Sequence, residues 1–336
     1  MSAKITIKEV AKKAGVAAMT VSRVLNRSGY VSEDARSRVE SAVAELGYVP
    51  NQLARGLRSK RTGTIALVVT DITNPFFTTM ARGVEDAASD TSNLVLFCNT
   101  DENEAEEQRY MRLLIEKRVD GVLLVPAQAG QQSLELAKTH GVPVVVVDRA
   151  VSGQEVDVVR CDSRDGATRL ADLLLIKGHQ HFAVLAGHHG VSTTDDRVEA
   201  FVTAVKQSNP SNSIEVHYGD FSVRSGHENA KKILNAEPRP TAVFAANNFI
   251  SIGALQEFRQ QGISVPEDIA LVGFDDLPAA LVTFPFLTVV AQPAYEMGRR
   301  AVEQLFKRIE NPEASPEEIL LPTEIIVRAS SGNGLK

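Results

Sequence analysis

The chain has 336 residues, 43% of them hydrophobic and 23% charged, with a formal net charge of −6. That composition excludes a disordered or fibrous chain and leaves room for two or three domains. No apolar run approaches the ~20 residues that span a bilayer, and MSAKITIKEV carries no hydrophobic leader core, so a cytoplasmic protein without membrane association is expected. Cys98 and Cys161 lie in or beside apolar stretches without CxxC spacing, which fits buried thiols better than a disulfide or a metal site. Charge is placed unevenly: residues 1–63 hold 12 Lys and Arg against 5 Asp and Glu, and the remainder holds 24 against 37. A head of +7 on a body of −13 fits a polyanion partner, or simply a solvated basic end.

ITIKEVAKKAGVAAMTVSRVLN predicts two short helices joined by a tight turn. Thr6 caps the first, Glu9 completes a capping box, and Gly15 ends it. The second runs from about Ala18 to Asn26, with Val21, Val24 and Leu25 at core spacing. A third starts after Ser32, carries the stripe Val39, Val43 and Leu46, and stops at Gly47. Three short helices around one core, with a glycine turn, make a helix-turn-helix unit. Met19, Ser22, Arg23 and Asn26 fall on the side of the second helix away from its apolar stripe, either to enter a major groove or merely as surface. The next segment, YVPNQLARGLRSKRTG, is basic and amphipathic with no neighbouring core, so it needs something to fold against.

TIKEVAKKAGVAAMTVSRVLN, followed by ELGYVPN, resembles the DNA-binding head of the lactose-repressor/galactose-repressor family, in register over about 60 residues. The resemblance implies that Ala18, Met19 and Arg23 read base edges and that Thr6, Thr20, Ser22 and Asn26 lie nearer the phosphates. It also implies that residues 51–59 form a hinge helix on operator DNA, with Leu57 as a minor-groove wedge and Arg58 as a sequence-independent contact. One position departs from the family: Ala17 stands where Ser or Thr usually caps the recognition helix, a loss of ~1 kcal/mol.

After Gly63, apolar strands at 64–69, 94–98, 121–125, 143–147 and 156–160 alternate with amphipathic helices. A second series follows at 182–186, 214–218, 241–245, 269–273 and 288–291. Near-continuous apolar strands between helices predict α/β architecture with two doubly wound parallel-sheet lobes. The expected domains are a helix-turn-helix head at 1–50, a hinge helix and linker at 51–62, and a two-lobed ligand-binding and dimerisation domain at 63–330. Lobe 1 takes about 63–161 and 293–321, and lobe 2 about 162–291 and 322–330.

Ligands of such sheets sit beyond the carboxyl ends of the strands. Those exits carry Asn74, Phe76 and Phe77; Asp148 and Arg149; Arg197; Phe221; Asn247; Asp275; and Gln292. Carboxylates accept from adjacent hydroxyls, guanidiniums donate in pairs, amides do both, and aromatic faces suit the C–H side of a sugar ring. The set therefore suits a small neutral polyol. The body also resembles the periplasmic sugar-binding proteins related to this family, and the same residues match the ribose-binding pattern. Because adjacent helical residues point ~100° apart, Phe76 and Phe77 are not expected to fill one core stripe.

His179, His181, His188 and His189 form two pairs separated by a strand, about 20 Å apart, and cannot share a metal. DENEAEEQ (101–108) reads as the acidic first turn of a helix. AGHHG lacks a dinucleotide fingerprint, and no GxSxG elbow or P-loop occurs, so neither an enzyme nor a cofactor is expected. The expected partners are a palindromic operator, a small sugar effector and a second copy of the chain, since two heads meet two half-sites. The alternatives are a regulator whose ligand or partner protein acts as co-repressor, and a sugar-binding protein that does not touch DNA.

Overall fold

The computed structural model describes residues 5–25, 28–49, 61–128, 130–278, 282 and 285–332. The chain divides into two compact units, Met1–Thr62 and Gly63–Lys336.

In the first unit, helices α1 (Ile7–Ala14), α2 (Ala18–Leu25) and α3 (Glu33–Leu46) enclose a small core of Val10, Ala11, Ala14, Val21, Val24, Val39 and Ala42. Gly15 makes the tight turn after α1 with φ 64°, a conformation that other residues enter only at a cost. Thr6 starts α1 by donating its amide and its hydroxyl to the Glu9 carboxylate, at 2.7 and 2.9 Å. These bonds hold the Glu9 carboxyl below its ordinary range. Ser32 accepts the Ala35 amide at the start of α3. At the start of α2, the Ala17 carbonyl still receives the Thr20 and Val21 amides, so the helix forms without a side-chain cap. The hinge helix expected at 51–59, with Leu57 and Arg58, and the expected contact Asn26 lie outside the described residues.

The second unit contains two six-stranded sheets. The first is built from β1 (Thr64–Val69), β2 (Leu94–Asn99), β3 (Gly121–Leu124), β4 (Val144–Val147), β5 (Asp157–Cys161) and β11 (Glu318–Leu321), in the order β11-β5-β4-β3-β1-β2. Every pairing in it is parallel. The second is built from β6 (His181–Ala186), β7 (Ser213–Tyr218), β8 (Ala242–Ala245), β9 (Ala270–Phe274), β10 (Thr288–Ala291) and β12 (Glu324–Ile326), in the order β12-β10-β9-β8-β6-β7. The buried central strands read as continuous apolar runs because helices cover both faces, with separate cores on the two sides of each sheet.

Two features correct the sequence reading. Strands β11 and β12, absent from the expected series, are short edge strands of four and three residues with apolar runs of only three and two, and β11 alternates exposed and half-buried residues. The second sheet is also not wholly parallel, because β12 pairs with β10 antiparallel. The chain passes between the sheets three times, at 161–163, 291–294 and 321–324.

Helices α4 (Pro75–Asp90) and α11 (Ala294–Glu310) pack closely against each other through glycines. A Cβ on Gly83 would lie 2.0 Å from the Tyr295 carbonyl oxygen, and one on Gly298 2.2 Å from that of Met80. Cys98 and Cys161 are free and buried, and burial pushes both thiols up.

Candidate functional site

Two regions carry the candidate residues. On α2 of the first unit, Val21 and Val24 are buried while Met19 is 49% exposed and Arg23 is also exposed, with Thr20 and Ser22 half-buried. Ala18 is half-buried and packs against the head's core. Met19 and Arg23 therefore share an outward face at helical spacing. Arg23 is the one residue there able to donate in pairs to guanine O6 and N7. Arg23→Ala should relax sequence preference by about 1–3 kcal/mol at one base pair. Competition binding against operator and scrambled DNA reads this, and equal losses on both would exclude base reading.

The second region is a cavity of about 900 Å³ at the carboxyl ends of the strands in both sheets. All ten candidates line it: Asn74, Phe76, Phe77, Asp148, Arg149, Arg197, Phe221, Asn247, Asp275 and Gln292. Each strand delivers its contribution at its exit, so one wall comes from β1 and β4 and the facing wall from β6 to β10.

The two aspartates sit at corresponding places after β4 and β9, and both are left-handed, with φ 68° for Asp148 and 69° for Asp275. Five of the seven described non-glycine residues with positive φ line this cavity: Asp101, Glu102, Gln128, Asp148 and Asp275. Backbone of this kind persists where the surroundings impose it, and it clusters at binding sites. Burial pushes the Asp148 carboxyl up to about 6 against the opposing pull of Arg197 and Arg149. Burial also raises Asp275, opposed by Arg197 and by the 2.6 Å bond from Gln292 Nε2.

Arg197 is buried. It donates to the Ala246 carbonyl at 2.8 Å, stacks on Phe274 with 3.8 Å from guanidinium to ring centroid, and lies 4.0 Å from Asp275. Arg149 lies 5.2 Å from the Phe221 ring centroid. Two buried polar atoms of this group, Asp148 Oδ1 and Arg149 Nε, have no hydrogen-bond partner among the described residues. Such atoms are costly unless something else satisfies them.

Phe76 and Phe77 correct the expectation that they cannot share a core. Both belong to one apolar cluster of the first lobe and both line the cavity, their rings meeting edge to face at 5.1 Å. Because α4 starts at the cavity rim, two adjacent directions there are both covered.

Asn74 lines the cavity and is engaged in two further ways. Its Oδ1 accepts the Phe76 amide at 3.0 Å and one N–H of Asn248 at 2.9 Å, while its Nδ2 donates to Asn248 Oδ1 at 3.1 Å. Its amide thus caps α4 and bridges the two lobes. Asn247 likewise caps helix α10 (Asn248–Gln260) through the Ile250 amide at 2.8 Å.

Sequence reasoning missed several lining residues, among them Asp101, Glu102, Gln128, His188, Thr193 and Asp220. Asp101 and Glu102 are not in the first helical turn. Asn103 caps helix α5 (Glu104–Glu116) by accepting the Ala105 and Glu106 amides at 2.9 and 3.3 Å, which leaves the two acids in the strand exit. Asn103 was the signal that could have placed them.

Gly187, in AGHHG, has a steric role: a Cβ there would lie 2.2 Å from the Phe221 ring. Gly187→Ala should displace that ring and weaken ligand binding by about tenfold, roughly the upper worth of one aromatic contact, with DNA binding unchanged. Calorimetric titration beside a DNA gel shift checks it.

The four histidines each meet a separate partner: His179 with Thr241, His181 with Ser213, His188 with Asp220 and His189 with Asp195. Among the described residues no group of three or more His, Cys, Asp or Glu is placed to hold a metal. No helix among them is long and apolar enough to cross a membrane.

Comparison with known proteins joins the two regions. Residues 6–51 match the family described as bacterial regulatory proteins, lacI family, and residues 171–331 match the periplasmic binding protein-like domain. A ribose operon repressor from Halalkalibacterium halodurans is 35% identical over 329 residues, covering 98% of both chains. The HTH-type transcriptional repressor PurR of Aliivibrio salmonicida is 34% identical over 327 residues, 97% of this chain and 98% of that one. The lac repressor dimer bound to operator and an anti-inducer superposes with a TM-score of 0.86 at 26% identity, covering 97% of this chain and 99% of that chain. A lacI-family regulator from Enterococcus faecium with bound ribose superposes at 0.73 with 30% identity, covering 81% of this chain and all of the other.

Proposed function

The chain belongs to the lacI family of bacterial regulatory proteins, and from that premise we propose that its cleft takes a small neutral sugar, ribose or a related pentose, as effector. The protein is a sequence-specific DNA-binding transcription regulator and a repressor, not an enzyme. In this reading residues 1–50 bind DNA through Thr6, Ala18, Met19, Thr20, Ser22, Arg23 and Asn26. Residues 51–62 form the hinge, with Leu57 and Arg58 on the operator, and 63–330 bind the effector and dimerise. The sugar is an effector and not a cofactor, and the protein works in the cytoplasm as a homodimer.

One observation carries the effector class: ten residues chosen as polyol-binding chemistry line a single cavity. Its deepest charges are two buried carboxylates facing two buried guanidiniums, a balance that leaves no net cation for an acidic ligand. Ring hydroxyls would donate to Asp148 and Asp275 and accept from Arg149, Arg197 and Asn247, with the ring's C–H faces against Phe76, Phe77 and Phe221. The names of the ribose operon repressors and the ribose-bound relative support ribose within that class.

Sugar held between the lobes closes them, shifts the first lobes across the dimer and unpairs the hinge segments, so that the heads release DNA. Coupling of this kind requires the sugar to bind the two states with different affinity. A thermal-shift screen of pentoses, hexoses and nucleosides tests the effector, because stabilisation follows RT ln(1 + [L]/Kd). Ribose should stabilise, and silence from ribose with a response to another ligand class would overturn the assignment. A gel shift gives the sign: ribose should release operator DNA, and tightening would make it a co-repressor.

A further inference from the structure

Arg149 and Arg197 are the cationic groups an acidic ligand would seek in this cleft, and the end-on Nη1/Nη2 fork of Arg149 is already taken. The Arg149 fork is held by Glu102: Nη1 donates to Oε2 at 2.7 Å and Nη2 to Oε1 at 2.5 Å, while Nη1 also donates to the Pro126 carbonyl at 2.7 Å. Of the five guanidinium N–H groups, this leaves Nε–H and one on Nη2, the side edge of the group, where the Asp148 carboxylate lies 4.0 Å from Nε. The Arg149 side chain is 4% exposed and that of Glu102 18%, so the pair is sheltered from solvent at the cavity wall.

We propose that Glu102 is a specificity-determining residue that makes the cleft select a neutral sugar over its phosphate ester, by occupying the end-on Nη1/Nη2 fork of Arg149 and setting a carboxylate against its charge. The inference rests on the sugar reading of the cleft. A parallel pair of N–H groups is the preferred protein partner of a phosphate, and here a carboxylate of the chain itself takes that place.

Other anion-binding devices of the cleft are engaged in part. Arg197 is turned to the Ala246 carbonyl, to Ser163 Oγ at 3.4 Å and to the Phe274 ring. The helix amides at the cleft are met by side-chain oxygens, Phe76 N by Asn74 and Ile250 N by Asn247. Asp71, Asp101, Glu104 and Asp220 add carboxylates to the lining, which includes no lysine among the described residues. Glu102 reaches its position from two consecutive left-handed residues, Asp101 at φ 51° and itself at φ 56°. Non-glycine backbone of that kind is kept where a specific interaction holds it, and the Arg149 pair is that interaction.

The test uses the full chain and three probes: D-ribose, D-ribose 5-phosphate and inorganic phosphate, titrated calorimetrically into wild type, Glu102→Gln and Glu102→Asp. Glutamine keeps the length and one acceptor but removes the charge and breaks the two-pronged pair. Wild type should favour ribose over its 5-phosphate by about a hundredfold or more. In Glu102→Gln the affinity for both phosphate probes should rise by about tenfold or more while ribose binding survives. Glu102→Asp, which keeps the charge, should restore most of the exclusion.

A merely structural role would weaken all ligands together, so parallel losses, or phosphate affinities unchanged in Glu102→Gln, overturn the proposal. Wild type binding ribose 5-phosphate as tightly as ribose overturns it too. A wild type silent to ribose, beside a Glu102→Gln variant that gains inorganic phosphate, would remove the pentose reading and uphold the role of Glu102.

Discussion

Asp275→Asn should raise the Kd for the sugar by about a hundredfold or more while leaving operator binding intact. Truncating one partner of a buried, hydrogen-bonded charge pair costs about 2–5 kcal/mol of binding. Asp275 is buried beside Arg197 and holds Gln292 in place. Asparagine is the informative replacement because it tolerates the left-handed backbone at φ 69°, where alanine would add strain. It removes the charge without disturbing the turn, and it spares the unliganded fold the burial of a carboxylate. The variant should therefore fold normally, bind operator normally and no longer respond to sugar in either thermal shift or gel shift. Loss of DNA binding together with the response would point to misfolding and sink the prediction.

The second large effect is a dependence on pH centred near 6. Burial pushes Asp148 from 3.8 up to about 6. A raised folded-state value means that the native protein holds this proton more tightly than the unfolded chain does. Ionising Asp148 therefore costs stability as pH rises from about 4 through about 6, by on the order of 3 kcal/mol.

A sugar hydroxyl donating to the carboxylate favours the ionised form and pulls the value back down. Sugar binding near pH 6 should thus release protons, and affinity should fall as pH drops below 6. Asp275 is also raised by burial and acts in the same direction, so the diagnostic quantity is the difference between wild type and Asp148→Asn. Calorimetry in buffers of different ionisation enthalpy counts the protons. Uptake of protons, or the same count in Asp148→Asn, would show that Asp148 does not carry the linkage.

Much of the cleft was legible before any fold was known. Parallel sheets buried on both faces turn their strands into unbroken apolar runs, so runs such as VVVV at 144–147 mark strands and the next residues mark exits. Polar and aromatic residues at those exits then converge because all parallel strands of one sheet end on the same side. The edge strands β2 and β7 were legible as well, at 94–98 and 214–218, while the opposite edges, β11 and β12, were not. EILL at 318–321 and EII at 324–326 are apolar runs of only three and two residues, too short to mark a strand, and the antiparallel pairing of β12 follows from where the chain re-enters the second sheet.

Sequence by itself determined the helix-turn-helix pattern, the two α/β series and the chemical types gathered at their exits, because these depend on local periodicity and on a topological rule. Only the tertiary structure decided what each side chain is already bonded to. Asn74 lines the cavity, and its amide also bridges to Asn248 across 174 positions of sequence. Glu102 passed for helix charge, yet it holds Arg149, 47 positions away. Phe76 and Phe77 were set apart by helical geometry and reunited by a helix that begins at a cavity rim. Hydrogen-bond capacity is a property of a residue, but whether it is still free depends on neighbours that only the folded chain brings near.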